Sequence, residues 1–232
     1  SMMWLNMVVS WKSPVSGEDG KSASHRNGSL PPSSVTHIQP TMLPDHFTPV
    51  PLDKSYRLLN HGPTVIVSAQ HAGECNAMSA AWACALDFAP PKISVVLDKA
   101  TRTRALVEGS GFFALQLPTV PQAALTVGIG TDSAVTEPHK LAKHGVQLFD
   151  APGFDVPLVA GCAAWLVCKL IPEPHNQQSY DLFIAEVVAA WADERVFRNG
   201  HWEFGSAPAE LRTLHYVAGG QFFAIGESVL VK

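Results

Sequence analysis

The chain has 232 residues, of which 47% are hydrophobic and 16% are charged, so a wholly disordered protein is excluded. Its 16 basic and 20 acidic residues give a formal net charge of −4, which argues against duplex nucleic acid as the main partner. No run of about 18 apolar residues occurs, so no membrane-spanning segment is predicted. Four cysteines are too few for a disulfide scaffold, and a reducing, cytoplasmic setting is expected.

The first part of the chain differs in composition from the remainder. Residues 1–45 are rich in Ser, Pro and Gly and lack the sustained apolar periodicity of a helix or a strand. Such a composition is typical of a flexible linker. We therefore predict a flexible segment over residues 1–45 and a single folded domain over residues 46–232.

Within the predicted domain, short β-branched runs alternate with turn residues and a few helical stretches. Strands are predicted over residues 64–69, 93–97, 112–117, 160–171, 180–190 and 221–225. Helices are predicted over residues 101–108, 121–127 and 138–144. Many strands with few short helices favour a mostly antiparallel β-barrel.

The sequence lacks the spacing signatures of a metal site and of nucleophilic catalysis. The ten histidines are scattered, and no GxSxG elbow occurs. Cys162 and Cys168 are expected to share one face of a strand, where buried cysteines are usually small core residues. Gly128-Ile129-Gly130 lacks the third glycine of a dinucleotide-binding loop and is interpreted as a connecting turn. No metal site is predicted.

The segment between residues 76 and 104 carries the most specific pattern. Small residues surround Met78 and Ser79 on a candidate strand. A flat ring can approach the backbone of such a strand closely, and exposed backbone amides there can bond the edge of the ring. After one apolar strand, Thr101-Arg102-Thr103-Arg104 opens a helix with hydroxyl, guanidinium and backbone N–H groups, which hold phosphate monoesters. Taken alone, the first part is equally explained by a tightly packed strand, and the second by a solvated basic helix start. The order of the two parts along the chain favours a ligand with a planar ring at one end and a phosphate at the other.

Several elements follow one another in the order found in a known family. The first are Asn-x-Met-Ser-x-x-Trp (76–82), Asp-Phe-x-Pro-Pro (87–91), Arg-Thr-x-x-Leu (102–106) and Ser-Gly-x-Phe (110–113). Segments 139–145, 181–187 and 215–220 continue the match. Together they resemble the flavin reductase-like domain, an FMN-binding split-barrel family that includes flavoredoxin and short-chain flavin reductases. The resemblance spans roughly residues 47–226.

The resemblance implies a mostly β fold, an FMN-binding split β-barrel with a few short helices, and a homodimer with the flavin near the subunit interface. It places the isoalloxazine ring and the ribityl chain along residues 76–82, largely against backbone groups. It places the phosphate beside residues 99–103, after the next strand. The residues so assigned to FMN are Asn76, Met78, Ser79, Ala80, Ala81, Trp82, Lys99, Thr101, Arg102 and Thr103.

The sequence departs from the family's pattern at three places. Asp98-Lys99-Ala100 stands where many members have Gly or Ser, and this difference affects the geometry expected around the phosphate. His139 replaces the usual Asp before Lys140, and Ala185 replaces a frequent Gly.

The resemblance implies hydride transfer from NADH or NADPH to FMN, in which the cofactor rather than an acid–base pair supplies the reactivity. The first hypothesis is an NAD(P)H-dependent flavin reductase that passes reduced FMN to a partner oxygenase or redox protein. The second is a flavoredoxin-like electron carrier with tightly bound FMN and no nicotinamide activity. The third is a barrel that only binds flavin or another planar ligand. His215 and Tyr216 either face the ring or the nicotinamide or are barrel-mouth residues with satisfied hydrogen bonds, and no catalytic residue is assigned.

Overall fold

The structure is a computed structural model that describes residues 62–231. The predicted flexible segment, residues 1–45, and the first residues of the predicted domain, 46–61, lie outside the described residues. None of the helices between residues 62 and 231 has both the length and the apolar character needed to span a membrane.

The described residues form mainly short strands. The strands are β1 (Val65–His71), β2 (Glu74–Ala80), β3 (Ala83–Phe88), β4 (Pro91–Val96), β5 (Phe112–Leu117), β6 (Leu148–Asp150), β7 (Pro157–Val159), β8 (Ala164–Ile171), β9 (Leu182–Ala192), β10 (Phe197–Arg198), β11 (His201–Trp202), β12 (Leu214–Ala218) and β13 (Gln221–Ala224). The helices are α1 (Arg102–Ser110), α2 (Ala123–Thr131), α3 (Lys140–Lys143) and α4 (Pro174–Tyr180), with two short 3-10 turns at Val120–Gln122 and Ala209–Leu211. The prediction of a mostly β protein with few short helices is confirmed.

Seven strands form one antiparallel sheet in the order β2-β1-β5-β8-β9-β4-β3. The strands β2 and β3 follow each other in the chain but lie at opposite edges of this sheet. Two-stranded ribbons, β6–β7, β10–β11 and β12–β13, complete the β structure of the described residues.

The termini of α1 follow from the residues that flank it. Thr101 precedes the helix in an extended conformation, and Gly111 ends it with φ of 72°. In that left-handed conformation, which glycine adopts without a steric cost, the Gly111 N–H donates to the Val107 carbonyl at 2.9 Å. The chain then turns directly into β5, which has the bounds predicted from sequence.

Alternating side chains along the central strands build apolar clusters on both faces of the sheet. Val67 of β1 lies in the larger cluster with Phe113 and Phe183, both of which are fully buried. Its neighbour Ile66 points to the other face and packs in a second cluster with Ile129 of α2. Burying each of these large side chains contributes about 1.5–3 kcal/mol relative to leaving it exposed.

The interpretation of Gly128-Ile129-Gly130 as a connecting turn is wrong, because these residues lie within α2. The His144 ring packs so closely on Gly128 that an added Cβ would lie 2.2 Å from its Nδ1 atom. Glycine at position 128 therefore allows the close contact between α2 and the His144 ring and does not form a turn.

The expectation that Cys162 and Cys168 share one face of a strand is also wrong. Cys162 precedes the start of β8 at Ala164, and the pairing of β8 with β9 shifts register between Val167 and Cys168. The two buried thiols consequently belong to different apolar clusters. Their burial raises the pKa of each thiol to about 12, so both remain protonated at neutral pH.

Candidate functional site

The candidate site is built around β2, which lies at one edge of the sheet. Within the described residues β2 pairs with β1 alone, so the backbone groups on its other edge point away from the sheet. The helices α1 and α2 pack on this strand. The amide and carbonyl groups on this edge are ones that a flat molecule could bond between the two helices.

Two buried side chains of β2 hold these helices in place. Asn76 donates through Nδ2 to the Thr103 hydroxyl of α1 at 3.0 Å. Ser79 donates through its hydroxyl to the Thr126 carbonyl of α2 at 2.8 Å. Because both side chains are used internally, a ligand at this strand would meet backbone groups, as the sequence predicts.

The other residues predicted along β2 also turn their side chains inward or continue into the turn. Ala80 is buried in the larger apolar cluster and the half-buried Met78 packs against it. Ala81 and Trp82 lead into β3, and the Trp82 carbonyl accepts a hydrogen bond from the Val96 N–H at 3.0 Å. This bond joins the end of the predicted ring-binding segment to β4.

The predicted phosphate end forms a tight turn before α1. Asp98 accepts hydrogen bonds at its side chain from the Ala100 N–H (2.7 Å) and at its carbonyl from both the N–H (3.0 Å) and the hydroxyl (2.8 Å) of Thr101. The Thr101 side chain makes no capping bond to α1. The N–H groups of the first turn of α1 are therefore not capped by this hydroxyl, and the positive end of the helix dipole lies there.

Both cations predicted at the phosphate end contact acceptors of the protein. Arg102 forms a two-point ion pair with Glu74, the first residue of β2, and this pairing raises the pKa of Arg102 and lowers that of Glu74. Lys99 donates to the Gln178 carbonyl of α4 at 2.5 Å and lies 3.8 Å from the Asp181 carboxylate. The structure thus joins Arg102 to the start of β2, whereas Lys99 is directed towards α4.

The second arginine of the predicted phosphate-binding run does not serve a ligand as the sequence suggested. Arg104 belongs to the Thr-Arg-Thr-Arg run but is only 4% exposed, and it pairs with Asp181. The run itself was a visible signal, yet the burial of its second arginine depends on a partner far along the chain.

Lys140, which belongs to the matched segment 139–145, holds the C-terminal end of α2. Its ammonium group donates to the carbonyls of Ile129 (2.8 Å) and Asp132 (3.1 Å), and the residue is only 3% exposed. Burial lowers its pKa to about 8, against an opposing effect of the Asp132 carboxylate. These contacts give Lys140 a role in placing α2 beside β2.

A separate cavity of about 500 Å³ lies where the chain segments 119–125, 145–147, 160–165, 193–195 and 210–211 meet. Its lining includes none of the residues assigned to FMN from the sequence. Across residues 62–231, no group of three or more His, Cys, Asp or Glu side chains is placed to hold a metal ion.

Comparison with known proteins identifies the family. The sequence profile described as "Flavin reductase like domain" matches residues 56–221 of this chain. Since the match covers most of the chain, the protein belongs to the flavin reductase-like family, and the resemblance found in the motif order is confirmed.

Individual relatives agree with this assignment. "Uncharacterized protein YddH" of Escherichia coli (strain K12) is 39% identical over 186 residues, which cover 79% of this chain and 97% of the relative. The crystal structure of an FMN-binding domain of a flavin reductases-like enzyme from Shewanella baltica OS155 is 61% identical, with a TM-score of 0.73 over 79% of this chain and 96% of that one. Flavoredoxin of Desulfovibrio vulgaris (Miyazaki F) shares the fold at 23% identity, with a TM-score of 0.61 over 74% of this chain and 90% of its own.

Proposed function

We propose that this protein binds FMN and acts as an NAD(P)H-dependent flavin reductase. The observation that carries the proposal is the backbone edge of β2, which no other strand of residues 62–231 pairs with and which lies between α1 and α2. It lies beside the first turn of α1, whose N–H groups the Thr101 side chain does not cap. A ring at this edge and a phosphate at the helix start match the two ends of FMN. The 61% identity to an FMN-binding domain from Shewanella baltica supports the same cofactor.

The residues present fit FMN in the following way. Backbone groups of Met78, Ser79, Ala80 and Ala81 would bond the edge of the ring system, while Asn76 and Trp82 would fix the two ends of this strand segment. Thr101, Arg102 and Thr103 would supply the phosphate with N–H groups, a hydroxyl and a guanidinium group, and Lys99 would add a second positive charge after leaving the Gln178 carbonyl. Arg102 would exchange the Glu74 carboxylate for the phosphate, which is the same kind of two-point acceptor.

The chemistry follows from the cofactor, because FMN accepts a hydride at N5 when a reduced nicotinamide stacks on the ring. The protein's part is to hold the ring against the β2 edge and to leave its outer face accessible to NADH or NADPH. No protein side chain needs to donate or accept a proton in this step. A protein of this kind would supply reduced flavin to a partner oxygenase or another redox protein.

An FMN titration of the purified protein, followed in the visible spectrum, tests this function. We expect FMN to bind and anaerobic NADH or NADPH to bleach the flavin band, which also identifies the donor. Binding without bleaching by either nucleotide would instead favour a flavoredoxin-like carrier that takes electrons from a redox protein. An unchanged flavin spectrum at all protein concentrations would contradict FMN binding altogether.

We also propose that the protein is a homodimer that associates through the β3 edge of the sheet. Every residue from Cys84 to Phe88 is exposed, so both faces of this edge strand are open. Leu86 is 52% and Phe88 92% exposed, and Val188 on β9 is also exposed. Apolar side chains on an open strand edge are typical of a surface that pairs with another chain.

A further inference from the structure

We propose that Arg104 is a positioning residue for the phosphate of FMN, acting through the segment 97–103 without touching the ligand. The inference rests on the proposed flavin function and adds a residue that neither the motif order nor the assigned site includes. Its basis is a buried guanidinium group that ties the start of α1 to the segment before it and to α4.

The guanidinium group of Arg104 has protein acceptors on all sides. Its Nη1 donates to the Leu97 carbonyl at 3.1 Å and to the Asp181 carboxylate, and its Nη2 donates to the Gln177 carbonyl at 2.8 Å. Its Nε donates to the Glu108 carboxylate at 3.0 Å. With four of its five N–H groups engaged and only 4% exposure, Arg104 is not available to a ligand.

The face of the guanidinium group is also enclosed. Its central carbon lies 5.1 Å from the centre of the Phe183 ring, which is within the range of a cation–π contact. Phe183 belongs to the larger apolar cluster, so Arg104 is fixed against the core of the sheet. A planar group held on its edges and on its face has a single orientation.

These contacts fix both ends of the phosphate-binding segment. Leu97 directly follows β4, and its N–H donates to the Asp181 carbonyl at 2.9 Å while its own carbonyl accepts from Arg104. Arg104 itself lies in the first turn of α1, directly after Thr103. One side chain therefore joins the entry and the exit of the segment that carries Lys99, Thr101 and Arg102.

Asp181 is the second residue that holds the segment 97–103 in place. It caps the C-terminal end of α4 in a left-handed conformation, with φ of 55°, which Asp tolerates better than most residues. That conformation presents its carbonyl to Leu97 and its carboxylate to Arg104 in the same place. Lys99 lies 3.8 Å from the same carboxylate, so Asp181 also influences a predicted phosphate ligand.

The consequence is a selective effect on one end of FMN. The ring end lies along β2, which is held by its pairing with β1 and by the Ser79 bond to α2, contacts that do not involve the segment 97–103. Loosening the segment 97–103 misplaces the phosphate-binding groups and leaves the ring-binding edge intact. The affinity for FMN should fall, whereas the affinity for riboflavin, which has the same ring and no phosphate, should hardly change.

The test compares dissociation constants for FMN and riboflavin in the wild type, Arg104→Lys and Asp181→Asn. Arg104→Lys keeps the charge but cannot reach all acceptors from one ammonium group. We expect each variant to bind FMN about tenfold or more weakly and riboflavin within about twofold of the wild type, because misplaced binding groups act on the phosphate alone. The 31P resonance of bound FMN should shift in both variants. If Arg104→Lys does not fold, Asp181→Asn carries the test.

Leu158→Ala provides the control for general loss of stability, since Leu158 is fully buried in a different apolar cluster. It should leave the ratio of the two affinities unchanged. The role of Arg104 would be overturned if the wild type, Arg104→Lys and Asp181→Asn had the same ratio of FMN to riboflavin dissociation constants. It would also be overturned if Leu158→Ala changed this ratio as much as the other two variants do. A wild type that binds FMN no better than riboflavin would instead remove the proposed phosphate site, and the inference with it.

Discussion

The two edges of the seven-stranded sheet differ in what covers them. At one edge, the helices α1 and α2 pack on β2, and the side chains of Asn76 and Ser79 are buried and bonded to them. At the other edge, β3 is exposed on both faces and carries Leu86 and Phe88 into solvent. The strands are neighbours in the chain, so their different surroundings arise from the sheet order and not from sequence distance.

Because of this difference, the two edges suit different kinds of binding partner. The edge of β2 is flanked by α1 and α2, and its Asn76 and Ser79 side chains are already hydrogen-bonded, so it suits a small planar ligand that bonds backbone groups. The edge of β3 carries the exposed side chains of Leu86 and Phe88, which suits a second protein surface. The following variants are chosen to disturb one edge without the other, from the largest expected effect to the smallest.

The first variant, Lys140→Met, tests how α2 is held against β2. Because burial lowers the pKa of Lys140 from 10.5 to about 8, the unfolded chain binds a proton that the folded protein lacks between these pH values. In this window the titration of Lys140 should therefore raise the free energy of unfolding by at most about 1.4 kcal/mol per pH unit, whereas the raised pKa of the Cys162 and Cys168 thiols lowers it above pH 9. Urea unfolding should therefore show that the wild type gains more stability with pH across the window, or loses less, than Lys140→Met.

Lys143→Met is the matched control, because Lys143 is an exposed lysine on the same helix whose pKa is raised by the Asp132 carboxylate. It should keep the wild-type slope. Identical slopes for the wild type and Lys140→Met would show that the buried ammonium group does not titrate in this range.

Asn76→Ala disturbs the contact between β2 and α1. It leaves the Thr103 hydroxyl, which is fully buried, without its donor, so unfolding should become easier by about 1–3 kcal/mol. Chemical denaturation measures this change. Cys75→Ala, at the exposed neighbouring position of β2, should stay within about 0.5 kcal/mol of the wild type. If both variants lost the same stability, the buried hydrogen bond would not be the cause.

Phe88→Ser disturbs the opposite edge. If β3 joins two copies, loss of this 92% exposed ring should weaken the dimer by about tenfold without lowering the stability of the monomer. Sedimentation over a range of protein concentrations measures the association. Phe223→Ser removes an exposed ring from β13 and should leave the dimer unchanged. A monomeric wild type at all concentrations would end the homodimer proposal.

Glu74→Gln gives the smallest expected effect and returns to the β2 edge. Glu74 holds Arg102 at the predicted phosphate end, so removing its charge should raise the FMN affinity by about two- to fivefold, the range expected for an exposed ion pair. Fluorescence titration with FMN measures the change. Glu203→Gln, which breaks the exposed ion pair with Arg198, should have no effect. Weaker FMN binding in Glu74→Gln would indicate that the carboxylate positions Arg102 instead of competing with the phosphate.

Much of the local structure was predictable because it depends on neighbouring residues. The apolar run 112–117 became β5 with the same bounds, and the helix predicted over 101–108 appears as α1 with Gly111 as its end. The longer run 160–171 was less accurate, since β8 begins only at Ala164. Its first residues turn away to place Cys162 in the cluster beneath α2, a contact that composition does not reveal.

The sequence by itself determined the β-rich class, the order of the strands and helices around residues 76–104, and the family, because periodicity, turn residues and motif order are local properties. Only the tertiary structure decided that Gly128 lies in a helix against His144 and that Arg102 meets Glu74. It also decided that Arg104 is buried beside Asp181. Each of these contacts joins residues that are distant in the chain, and the sheet order that brings them together depends on the packing of the whole core.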